Sequence, residues 1–223
     1  MRFWGIVVFG VLGTAILLSL GVWQLQRLAW KQEVLQEIER KILAPAVDIP
    51  QTVLTDTHSL LPVRAEGRYT DETVRVLVSQ KIYGAGYRLI TAFELVGGRT
   101  IMVDRGFTSV RAQMPNTPEG RGQVIGNLQW PQETDSFTPE NDLMANIWFA
   151  RDVERLAEHL LAEPILLVLR ESSFETEAAT PLPKMTANIP NDHMNYAITW
   201  FSLALIWLGM TGHFLYRSRE TQS

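Results

Sequence analysis

No cysteine occurs among the 223 residues, and that absence removes several kinds of chemistry at once. Haem cannot be attached through a Cys-x-x-Cys-His motif, and neither a thiolate copper site nor an iron–sulfur cluster can form. Met-x-x-Met repeats are missing too, which leaves copper delivery without soft ligands. Basic charge is sparse through the middle of the chain, where residues 24 to 192 hold 17 Lys and Arg against 23 Asp and Glu. A nucleic-acid surface needs clustered positive charge, so that class is excluded. Catalytic signatures are also lacking. No G-x-S-x-G frames a serine, the histidines at 58, 159, 193 and 213 form no H-x-x-x-H pair, and "GAG" at 84 to 86 precedes a strand instead of opening a helix. The expectation is a protein that is not an enzyme.

Charge is missing altogether from two long apolar runs. Phe3 to Trp23 spans 21 positions without a charged side chain, and a bilayer core needs about 20 apolar residues in a helix. A cleaved signal peptide has a shorter apolar region and a small-residue cleavage site, whereas Trp4 and Trp23 bracket this run as interfacial anchors. Residues 3–23 therefore read as a first transmembrane helix. From Met194 to Tyr216 the only ionisable side chain is His213, so 193–215 reads as a second. Arg2 before the first helix, and Arg217 and Arg219 after the second, place residues 1–2 and 216–223 in the cytoplasm, although Arg27 and Lys31 pull the other way. Residues 24–192 then form an extracytoplasmic, mainly β domain, long enough to bury a core without disulfides.

Within that domain the hydrophobic period changes twice. "QLQRLAWKQEVLQEIERKIL" (24 to 43) keeps helical spacing, so the first helix continues outward until Pro45 and Pro50 stop it. Seven short runs follow at 62–69, 73–80, 87–95, 100–107, 123–130, 146–153 and 164–172. They are rich in β-branched and aromatic residues and read as antiparallel strands. "VGGR" (96 to 99) predicts a two-residue Gly–Gly hairpin turn, and "DVERLAEHLLAE" (152 to 163) predicts one short helix capped by Asp152. Residues 174–190 form a polar, Pro-broken connector. The fold class is a membrane-anchored α+β protein, with two transmembrane helices flanking an antiparallel β-sheet or barrel-like domain that carries one short helix.

One ionisable residue stands where the second apolar run begins. Pro190 and the capping residue Asn191 put His193 in the first turn of that helix, at the outer interface. The partial positive charge of a helix N-terminus favours the neutral ring, able to bind iron, while Asp192 favours the charged one. Ala197, Trp200 and Ala204 follow His193 on one face. The two small residues leave room for a flat macrocycle against Trp200, or they let the two helices approach closely. On the first helix Trp23, Arg27 and Trp30 share a stripe at the same membrane surface. An arginine there suits carboxylates such as haem propionates, or the stripe anchors in lipid headgroups.

In order and over almost the whole chain, "GVWQLQRLAWK", "EGRY", "GYRLITAFEL", "VDRGF" and "NDHMNYAITWFSLA" resemble the Surfeit locus protein 1 family. Two departures are visible: Asn-Asp-His stands where a second Asn is commoner, and Val-Asp-Arg-Gly-Phe where Asn-Arg-Gly-Trp is usual. The resemblance implies an assembly factor of the bacterial plasma (inner) membrane that acts on aa3-type cytochrome c oxidase. It implies haem a as cofactor, with His193 as the axial metal ligand, and the large catalytic subunit and haem a synthase as partners. Arg27, Trp200 and Trp23 are the further candidate cofactor-binding residues. The competing reading is a cofactor-free scaffold that stabilises an oxidase assembly intermediate.

Overall fold

A computed structural model describes residues 2–175, 179–183 and 190–220. Met1, the end of the tail (221–223) and parts of the expected connector (176–178 and 184–189) lie outside the described residues. The chain divides into two compact units, one formed by residues 1–37 with 186–223 and the other by residues 38–185.

The first unit is a pair of helices. Helix α1 runs from Arg2 to Ile42, continuing past the apolar run as its spacing predicts, and α4 runs from His193 to Glu220, longer than the expected 193–215. Both are long and apolar enough to cross a membrane. Gly10, Thr14, Leu17, Gly21, Gln24, Leu28 and Lys31 are among the buried and half-buried positions of α1. They alternate spacings of four and three, the seam of two helices packed along their length. Small residues set how closely the helices approach. A Cβ on Gly13 would stand 2.4 Å from the Trp207 ring and one on Gly21 2.7 Å from Phe201, so both glycines make room for an aromatic ring. The Trp207 indole donates to the Gly10 carbonyl at 3.1 Å, so this half-buried N–H is paired within the helix seam. Gly10 lies beside Thr211 and Lys31 donates to Pro190 O, so the helices are antiparallel, with the start of α1 and the end of α4 at the same end of the pair.

The second unit is built around β2 (Pro62–Gln80), β3 (Gly84–Leu95), β4 (Thr100–Ser109), β5 (Gly122–Gln129) and β7 (Leu166–Ser172). Short β1 (Val47–Asp48), α2 (Thr55–His58), β6 (Ile147–Trp148) and α3 (Val153–His159) complete it. The pairings run β2–β3–β4–β7–β5 and return from β5 to β2. They close because β2 is long enough to serve two neighbours at once: Pro62–Gly67 pair with β5 while Gly67–Gln80 pair with β3.

Burial follows the two-residue period of a strand. In β2, Val63, Ala65 and Tyr69 turn inward and Arg64, Glu66 and Arg68 outward. The central strands are covered on both faces. Ile101 and Val103 join an inner cluster with Phe93, Leu128 and Leu167, while Met102 joins Ile90, Val168 and α3's Leu156 on the opposite face. Burying each such side chain contributes roughly 1.5–3 kcal/mol. Helix α3 begins where Asp152 accepts a hydrogen bond from the Arg155 amide, as the sequence predicts.

Four expectations need correction. Runs 62–69 and 73–80 form one strand, bent by an irregularity between Tyr69 and Thr73 that absorbs the polar Thr70-Asp71-Glu72. The expected strand 146–153 shrinks to Ile147–Trp148, since Asn146 takes φ 50° and Asp152 already caps α3. The sheet is not wholly antiparallel, because the return through α3 lays β7 parallel to β4. Finally, the 95–99 hairpin uses Gly98 alone at φ 83°. Its amide bonds Leu95 O at 2.9 Å while Leu95 N bonds Arg99 O, so the loop has three residues, Val96 to Gly98.

Candidate functional site

His193 occupies the first turn of α4 and is half-buried against α1. Its Nδ1 lies 2.8 Å from Oε1 of Gln24, which the helix seam buries. An amide oxygen only accepts, so in this pairing Nδ1 carries the proton and Nε2 is the nitrogen left to offer an electron pair. This partner is the kind that orients a metal-binding imidazole. The signal for Gln24 was present in the four-three repeat that also contains Gly10, Thr14 and Gly21, a seam in which a glutamine needs a partner.

Arg27 lies one turn beyond Gln24 on the exposed side of α1. Its guanidinium sits 3.9 Å from the centre of the Trp30 ring, a cation–π contact, and no carboxylate pairs with it among the described residues. Trp23 is exposed on the same stripe and Trp200 is half-buried on α4. The stripe is offset from the seam by one residue, about 100° around the helix. The four candidates thus share one end of the helix pair. His193 turns into the seam, while Trp23 and Arg27 turn away from it. Ala197 and Ala204 are each 1% exposed, so the seam takes up the space their small side chains leave.

The β unit holds a second polar cluster that composition did not reveal. Asp104 in β4 is fully buried and accepts from Arg88 Nε in β3 at 2.6 Å and from Arg151 at 3.4 Å. Arg151 reaches on to Glu133, with Nε 3.1 Å from each carboxylate oxygen. Burial works against both charges of this outer pair. The mutual hydrogen bonds and attraction nevertheless hold Glu133 below the usual carboxylate range and raise Arg151 above its ordinary value. A bulge at Arg105 makes this possible, since Ile90 pairs with Asp104 and Leu89 with Gly106. Arg105 is itself buried and donates to Asn116 O at 3.0 Å. Gly106, at φ 117°, leaves space for a strap in which Thr180 and Phe107 exchange backbone hydrogen bonds. Arg88 also holds that strap through Leu182 O at 3.1 Å. The clue was an Asp-Arg pair inside an otherwise apolar strand.

No group of three or more His, Cys, Asp or Glu suited to a metal ion occurs among the described residues. A pair of apolar antiparallel helices combined with a disulfide-free α+β domain defines a class of protein fitted for anchoring in a membrane. The SURF1 family profile matches residues 11–205, and the chain belongs to that family. It is 30% identical over 213 residues to a SURF1-like protein of Rickettsia prowazekii, covering 88% of this chain and 84% of that one. Against the SURF1-like protein of Rickettsia felis it is 28% identical over 200 residues, covering 85% and 88%. Surfeit locus protein 1 of Homo sapiens is 29% identical over 212 residues, covering 83% of this chain and 69% of the human one.

Proposed function

We propose that this protein is a membrane-anchored assembly factor for aa3-type cytochrome c oxidase, which binds haem a at the Gln24–His193 end of its helix pair and assists its insertion into the large catalytic subunit. Family membership supports the assembly role. The observation that carries the cofactor reading is the 2.8 Å contact between Gln24 and His193, which leaves Nε2 as the ring's electron-pair donor.

The residues present fit a haem. His193 would hold the iron through Nε2, fixed in tautomer by Gln24, and Arg27 would hold propionates with a guanidinium that no described acidic residue occupies. Haem a itself supplies the redox centre and the apolar tail that the receiving subunit requires. A carrier must also release its cargo, and one histidine ligand per chain keeps binding moderate. Haem a synthase, as the source of the cofactor, is a further partner under this reading.

The test is the visible spectrum of the full chain purified from cells that make haem a. We expect a haem spectrum that disappears in His193→Ala and weakens in Gln24→Leu, which frees Nδ1 from its acceptor. A spectrum unchanged by His193→Ala would refute the ligand. A colourless wild-type protein that still co-purifies with the large subunit would establish the cofactor-free scaffold instead.

A further inference from the structure

The long strand β2 is covered unevenly along its outer edge. Arg75 and Val76 pair there with β6, a two-residue strand laid parallel by the chain itself. From Leu77 to Gln80 the only strand neighbour among the described residues is β3 on the other side. Among the described residues no backbone hydrogen bond reaches the outward-facing groups of this stretch. Beside them lies a cavity of about 500 Å³ lined by Leu77, Ser79, Ala85, Phe137, Pro139 and Phe149. Phe137 is 90% exposed, which no core or internal contact requires.

The loop that forms the outer wall of this groove carries one sign of charge. From Gly122 to Ala150 there is no Lys or Arg, while Glu133, Asp135, Glu140 and Asp142 fall in that stretch. Arg151 neutralises Glu133, leaving Asp135 on the lining of the apolar cavity and Glu140 and Asp142 farther along the same loop. Each property selects a feature of the occupant. Open amides and carbonyls select an extended backbone, the cavity selects an apolar side chain, and the carboxylates select flanking Lys or Arg. We infer that the Leu77–Gln80 edge of β2 is a docking site for an extended segment of a partner protein, one that adds as a strand, seats an apolar residue among Leu77, Phe137 and Phe149, and carries basic residues on either side.

Position β6 shows that the edge accepts a strand, and the site begins where β6 stops. A second copy of this chain would bring Leu77, Gln80 and Lys81 against their own equivalents together with another acidic loop, and so meets the charge requirement poorly. The inference does not depend on haem binding, and it uses no residue of the helix pair.

The experiment uses the full chain in mild detergent and a phage-displayed library of random heptapeptides, followed by fluorescence anisotropy with the selected peptide. Selection on the wild-type chain is expected to enrich sequences alternating apolar and small polar residues with Lys or Arg at the flanks. Phe137→Ser, at a fully accessible position, should weaken the peptide by about tenfold. Proline at the peptide's central residue should weaken it by a similar factor of about ten, by removing a ladder hydrogen bond. Glu140→Lys should weaken it by about threefold at low salt and less at high salt. Failure to enrich any peptide, or a selected peptide indifferent to both Phe137→Ser and its own proline, overturns the proposal. So does concentration-dependent dimerisation of the free chain that Phe137→Ser abolishes, since a second copy would then own the edge.

Discussion

Replacing Asp104 by Ala tests how much of the β unit rests on its buried charges. Two ion pairs in this domain have the same length and differ in burial. Arg64–Asp48 and Arg88–Asp104 are both 2.6 Å, but the first pair's side chains are 49% and 83% exposed and the second pair's 9% and 0%. An exposed pair is worth about 0–1 kcal/mol. Removing one partner of a buried pair costs about 3–5 kcal/mol, because the remaining charge stays buried without compensation. Asp104 also accepts the Gly106 amide at 3.2 Å, worth about 1 kcal/mol more. The sum, about 4–6 kcal/mol, is a large share of the 5–15 kcal/mol that ordinarily stabilises a domain. At about 2–4 °C per kcal/mol for a domain near 150 residues, Asp104→Ala should melt roughly 10–20 °C lower than the wild-type chain. The measurement is loss of β-sheet circular dichroism on heating in mild detergent, with Asp48→Ala as the exposed control. If Asp104→Ala shifts the midpoint no further than the control, the buried network contributes nothing special and the burial argument fails.

Three other outcomes follow from the same geometry. Gly106→Ala would place a Cβ 2.1 Å from Thr180 O at a φ of 117°, so the 179–183 strap should detach, with faster proteolysis there and a stability loss of about 2–3 kcal/mol; unchanged cleavage would argue against the strap contact. Because the chain has no cysteine, Gly10→Cys with Thr211→Cys isolates one helix contact. Thr211 Cβ lies 3.1 Å from the Cβ position of residue 10, close to disulfide range, and oxidation should cross-link this pair but not a Val8→Cys, Thr211→Cys control. Glu133 has a folded pKa below its unfolded value, so its contribution is present above about pH 4.3 and is lost as pH falls through the lower folded value. Glu133→Gln should flatten that acid limb of a stability-against-pH curve, and an unaltered limb would assign the acid sensitivity to other carboxylates.

The parts of this fold that were readable in the sequence are those set by local periodicity. Two uncharged runs mark α1 and α4, the alternation Val63, Ala65, Tyr69 marks the inward face of β2, and Asp152 marks the start of α3. What escaped was decided by partners far away in the chain. The parallel lie of β7 on β4 depends on the path of the intervening α3, and the fusion of two expected strands into β2 depends on β3 continuing alongside both. At the candidate site, His193 was conspicuous because an imidazole at the start of an apolar run is unusual. Its partner Gln24 is less conspicuous, since it falls just past the apolar run and only its place in the four-three seam repeat marks it. Asp104 stands out as a charge in an apolar strand, but its partners do not, because its counter-charges arrive from Arg88 and Arg151 on other elements.

Because the strand circuit closes only through β2, synthesis and folding are out of step. Pro62 finds its neighbour at Asn127, and the last seam between β5 and β7 waits for Ser172, so while the chain is being made, the hairpin of β2 and β3 stands with one flank bare. Contacts so distant in sequence slow folding and leave strand edges exposed to chance pairing. A nascent chain of this protein is therefore most vulnerable to aggregation just before its final strand emerges.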